Sequence, residues 1–113
     1  MRLEAKKYLH DITRSAGLAL QFVAAKAYLD YVSDPLLRSA VERQMQTVGE
    51  ALAQLAKIDP DTAARITEHQ KIIAFRNILV HGYANIDDRV VWGLLELKLP
   101  QLWREAEALL AEG

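Results

Sequence analysis

Three histidines are available to this chain, His10, His69 and His81. Only His81 stands among residues that could share its chemistry. The run Phe75-Arg76-Asn77-Ile78-Leu79-Val80-His81-Gly82-Tyr83 sets four polar residues, Arg76, Asn77, His81 and Tyr83, around an apolar triplet. On a helix Asn77 and His81 are i and i+4 and share a face. Arg76 lies five residues before His81, about 140° round the helix. Gly82 is placed to serve as the C′ residue that ends such a helix. His81 then occupies the last turn, where the carbonyl end of the macrodipole favours imidazolium. A histidine near neutrality can give and take protons. An arginine offers a planar fork suited to phosphate oxygens. Acid–base chemistry on a phosphodiester is one reading. An ordinary solvated helix end, with His81 capping carbonyls, is the other.

Metal chemistry finds less support. His10 and Asp11 are neighbours, as are Glu68 and His69, and adjacent residues point about 100° apart on a helix. No metal site is expected. No phosphate-cradling G-x-x-x-x-G-K, dinucleotide G-x-G-x-x-G or nucleophile-elbow G-x-S-x-G occurs. The absence of cysteine excludes thiol nucleophiles, disulfides and zinc–thiolate or iron–sulfur sites. No cofactor is called for.

The elements that must hold the motif are helical throughout. Leu9, Ile12, Ala16, Ala19, Leu20 and Val23 recur at spacings of three and four, giving a first helix from about Leu3 to the mid-twenties. A short piece follows at Ala27–Val32. Asp34-Pro35 and Asp59-Pro60 each pair an N-cap aspartate with a proline at N1. The first opens a helix to about Lys57, whose Val41, Met45, Val48, Leu52 and Leu55 form an a/d seam for the core or for a dimer. Arg38, Glu42, Arg43, Gln46 and Gln54 fall on its polar face. The second opens a helix to about His81, with a kink near Glu68-His69. Asp87 or Asp88 caps another, and Pro100 opens or kinks the last. No stretch alternates with period two. The expected fold is all-α, a four- to five-helix up-and-down bundle in one domain spanning 1–113.

Composition narrows the partners. The chain has 113 residues, 51% hydrophobic and 26% charged, which rules out a disordered protein. Fourteen basic and fifteen acidic residues leave a net charge of −1, so nucleic acid would have to be held by a local patch. No apolar run is long enough to span a membrane, and the charged start does not read as a signal peptide, so a cytoplasmic location is expected.

The motif and its surroundings resemble the HepT-like branch of the HEPN ribonucleases, whose signature is an arginine, four residues, a histidine, one residue and a tyrosine. Arg76-Asn77-x-x-Val80-His81-Gly82-Tyr83 fits it, and Asn85-Ile86-Asp87 and Val91-Trp92 continue the likeness. Asp34–Arg43 looks like the family's second-helix opening, Val48-Gly49-Glu50-Ala51 like its Ile-Gly-Glu-Ala stretch, and Leu99-Pro100-Gln101-Leu102 like its closing Leu-Pro-x-Leu. The likeness covers nearly the whole chain in order. Thr67–Lys71 departs from it, because relatives often carry Pro-Trp-Arg there.

The resemblance implies a homodimeric endoribonuclease toxin with two motifs facing one cleft. Arg76 and His81 would be catalytic, and Asn77 and Tyr83 would support them or position the RNA. No metal is implied. The partner would be an MntA-type nucleotidyltransferase antitoxin able to transfer AMP to Tyr83. The alternative is a non-catalytic helical module that binds substrate or partner for a nucleotidyltransferase.

Overall fold

Aspartates begin three of the helices, as the Asp-Pro pairs and Asp87 lead one to expect. In a computed structural model describing residues 1–113, the Asp34 carboxylate accepts the backbone N–H groups of Leu36 and Leu37. Asp59 accepts from Thr62, and Asp87 from Arg89. Each satisfies donors that the first turn leaves without partners. The elements are α1 (Leu3–Phe22), α2 (Tyr28–Ser33), α3 (Pro35–Ile58), α4 (Pro60–Ala64), α5 (His69–His81), a 3-10 turn at Tyr83–Asn85, α6 (Asp88–Leu97) and α7 (Leu99–Glu112). Five of these are long helices and two are short pieces, so the fold is the expected all-α bundle.

The kink expected near Glu68 is a full break. The helix opened by Pro60 stops at Ala64, and Glu68 turns through a left-handed φ of 56° before α5 begins. A left-handed residue cannot lie inside a helix, so α4 and α5 are separate elements.

Burial follows the apolar stripes. Val41, Met45, Val48, Leu52 and Leu55 of α3 are all buried, so the a/d seam serves the core. They meet Leu9, Ile12, Ala16 and Ala19 of α1, and Leu99, Leu102, Ala106 and Leu109 of α7 close the other side. An Arg2 N–H bonded to the Ile58 carbonyl at 2.8 Å puts the start of α1 at the end of α3. A side chain at Gly113 would meet Lys6 and Met1, which puts the end of α7 there too. Helix α1 thus runs antiparallel to both neighbours. Helix α5 lies on α3 with Leu79 as its one buried residue.

The α3 polar face is not wholly solvated. Arg38 and Glu42 are half-buried, and Arg38 Nε sits 3.9 Å from Asp88 at the start of α6. Sequence periodicity assigned them to solvent because it cannot show which neighbour later covers a face.

Candidate active site

The site forms where α5 leaves α3. At the crossing is Gly49, buried in α3. A Cβ there would come within 2.3 Å of Arg76 Cβ and 2.9 Å of Arg76 Cγ. Only a glycine lets α5 approach this closely, and the approach presses the Arg76 stem against the α3 backbone. Ile72, Phe75, Arg76 and Leu79 make up the inner side of α5. Asn77 and His81 lie on the outer side, exposed.

Arg76 is therefore unlike its companions. Its side chain is only 21% exposed, and Nη1 sits 3.3 Å from Glu50 Oε2 on the next α3 residue. The Nε atom is buried without a hydrogen-bond partner. The guanidinium end alone can reach a ligand.

His81 ends the helix, and its successor differs from expectation. Gly82 is the C-cap residue, with φ −107° rather than the left-handed value of a C′ glycine. Its N–H bonds to the Ile78 carbonyl at 2.8 Å, and its carbonyl accepts from Asn85 at 2.9 Å. The chain passes directly into the 3-10 turn, so no left-handed residue is needed to reverse it. A side chain at 82 would still crowd the Ile78 carbonyl at 3.1 Å. The turn begins with Tyr83, which is 76% exposed. Tyr8 and Tyr28 are half-buried and Tyr31 is buried. Of the four tyrosines, Tyr83 is the accessible one. Ile78 and Val80, which precede His81 on α5, are also exposed.

An open groove of about 410 Å³ lies beside Glu50, lined by Tyr8, Asp11, Arg43, Gln46, Gln54 and Val80, among others. A second, smaller cleft, about 100 Å³ and mostly apolar, lies at the other end of α5 over Met45, Val48, Phe75 and Leu102. The departing segment Thr67–Lys71 forms part of its rim. Thr67 donates N–H and Oγ1–H to Glu105. Glu68 binds Lys98 at 2.7 Å and Lys71 at 3.2 Å, and these ammonium groups hold its carboxyl below the usual range. No three His, Asp or Glu side chains gather in one place.

A model of the family described as Ribonuclease HepT-like matches residues 12–109, most of the chain and all of the Arg76–Tyr83 motif. The chain belongs to the HepT-like ribonuclease family. RNA cleavage is the activity that this membership carries. Among similar proteins is one of Methanocaldococcus jannaschii named "Putative RNase MJ1380", 26% identical over 92% of this chain and 94% of its own length. Another, from Thermococcus cleftensis, is named "Probable ribonuclease HepT" and is 28% identical over 96% of this chain and 98% of its own length. No solved structure matches.

Within this HepT-like ribonuclease, two site residues escaped the sequence reading, Gly49 and Glu50. Both were visible as part of a family-like stretch, but no spacing rule ties residue 50 to residue 76.

Proposed function

We propose that this HepT-like protein is an endoribonuclease toxin, one helical domain long, that acts as a homodimer. The observation that carries the reading is the split of the motif around α5, with Arg76 against α3 and His81 on the outer side. One copy cannot bracket a phosphodiester. Two copies, meeting across the exposed Ile78, Val80 and Tyr83 surface, can place two guanidinium groups, an acid and a base around one.

The 2′-OH of RNA is the nucleophile, so the reaction needs no metal-bound water. One histidine takes the 2′ proton as O2′ bonds to phosphorus. The P–O5′ bond breaks, and the leaving O5′ takes a proton from the second histidine. Arg76 stabilises the charge that builds on the phosphorane oxygens. The products are a 2′,3′-cyclic phosphate and a 5′-OH. Asn77 shares the His81 face and positions the imidazole or the phosphate.

Tyr83 is the regulatory handle. An MntA-type nucleotidyltransferase antitoxin transfers AMP when the phenol gives up its proton, its oxygen bonds to the α-phosphorus of ATP and pyrophosphate leaves. The new phosphate competes with RNA for Arg76 and repels the RNA backbone.

Incubation with total RNA in EDTA tests the catalytic claim. The wild type cleaves, and Arg76→Ala and His81→Ala lose most activity with helical circular dichroism retained. EDTA-sensitive cleavage, or a fully active His81→Ala, contradicts the mechanism. An inert wild type favours the non-catalytic binding module. Light scattering should give about twice 12.7 kDa. After co-expression with the nucleotidyltransferase, AMP masses should map to a Tyr83 peptide and vanish in Tyr83→Phe.

A further inference from the structure

We propose that Glu50 is a positioning residue for RNA cleavage: it anchors Arg76 Nη1 so that the rest of the guanidinium end stays turned to the scissile phosphate. This rests on the reading of Arg76 as the phosphate-binding group.

Three constraints on Arg76 lead there. Its stem is fixed by the glycine contact, because the space a residue-49 side chain would fill holds Arg76 Cβ and Cγ. Its Nε edge is buried and faces no acceptor, so a bidentate grip through Nε is closed to an incoming phosphate. Its Nη end has the Glu50 carboxylate 3.3 Å from Nη1 on one side, and Glu50 in turn lines the open groove. What remains for a phosphate oxygen is the side of the guanidinium that Glu50 does not occupy.

A free arginine samples many rotamers and would lose most of them on binding. One whose stem is packed and whose tip is tethered has lost them before the substrate arrives. Glu50 is suited to the tether. Its side chain is 55% exposed, so it is not a packing element and its removal leaves no cavity. It sits one residue from the glycine that sets the crossing, so the close approach of α5 to α3 that fixes the Arg76 stem also brings Nη1 to Glu50. Its carboxylate also lines the groove and would repel a phosphate straying to the wrong side of Arg76.

The test uses the full-length protein and a short RNA oligonucleotide. Glu50→Ala and Glu50→Asp should each lower kcat by about ten- to a hundredfold, the scale set by a displacement of roughly 1 Å. Aspartate keeps the charge but is one methylene too short to reach. Glu50→Gln, whose amide oxygen is long enough to reach Nη1 and can accept from it, should recover activity to within a few-fold of wild type. Binding of the uncleavable 2′-deoxy oligonucleotide should change by less than about threefold in all three variants, since the lost interaction is expressed in the transition state. A Glu50→Ala protein as fast as wild type, or faster, overturns the proposal and makes the ion pair a brake. Glu50→Gln as slow as Glu50→Ala overturns it too, because charge and not anchoring would then matter. Should Glu50→Ala fold poorly, the aspartate and glutamine pair decides alone. A fully active Arg76→Ala would remove the underlying assignment of Arg76, an outcome distinct from failure of the Glu50 variants.

Discussion

Two buried side-chain atoms in this ribonuclease lack a hydrogen-bond partner, Arg76 Nε and Tyr31 Oη, and their surroundings differ. Tyr31 is fully enclosed where α2 meets α3 and α6, with its ring 5.5 Å from that of Trp92. Burial first, then the charges of Glu42 and Asp88, push its phenol far above the ordinary value. Arg76 keeps its stem buried and its tip in solvent, beside exposed Asn77, His81 and Tyr83. An unsatisfied atom in a closed pocket can only affect stability. One on a half-open side chain restricts how that side chain meets a ligand. The first region is structural and the second is the candidate site, and exposure of the neighbouring polar residues separates them.

Substitution at the site should have the largest consequence. His81→Ala should reduce kcat by about 10²–10⁴-fold, the usual worth of a general acid or base, with the thermal midpoint nearly unchanged. A comparable loss of activity from Tyr31→Phe would erase the distinction between the regions.

Gly49→Ala sharpens the contrast by joining stability to function. Its methyl group must displace either the Arg76 stem or the α5 backbone. Such overpacking costs about 1–3 kcal/mol, seen as a lower denaturant midpoint, together with reduced cleavage. Unchanged stability would mean that the two helices are free to separate.

The Glu42 region should report through pH and leave catalysis alone. Burial, then Asp88, raises the Glu42 pKa above its ordinary 4.5, partly offset by Arg38. The folded state then holds its proton more tightly than the unfolded chain does. Glu42 therefore costs stability as pH rises from about 4.5 through the raised folded value, and none below that window. Relative to wild type, Glu42→Gln should melt higher at pH 7 and lose that advantage in acid. Thermal melts across pH check the sign, and an advantage that grows in acid would contradict it.

Tyr31→Phe should have the smallest effect. Removing a hydroxyl that has no partner is neutral or stabilising by up to about 1 kcal/mol, with cleavage unchanged. A clear loss of stability would show that the phenol has a partner in solution.

The two regions were unequally legible from sequence. Local signals are complete within a few residues, so Asp34, Asp59 and Asp87 marked their helices, and the spacing of Val41 to Leu55 marked a buried stripe. Asn77, His81 and Tyr83 were legible as a group because they are near in sequence, and the structure exposes all three. Arg76 was found by the same pattern, yet its half-burial was not, since that depends on where α3 crosses α5. Glu50 was hidden for the same reason. The Tyr31 cluster was hidden more deeply, because Arg38, Glu42 and Asp88 come together only when the start of α6 is brought beside α3. Charge periodicity placed the first two in water.

The central claim is that the α5 end cleaves RNA by using the substrate's own 2′-OH. A DNA oligonucleotide carrying a single ribonucleotide, incubated with the protein in EDTA, tests it most directly. The account predicts one cut, on the 3′ side of that ribose, leaving a 2′,3′-cyclic phosphate and a 5′-OH, and no cut with His81→Ala. Cleavage of the all-DNA control, or an upstream product whose new end is a 3′-OH, would contradict it.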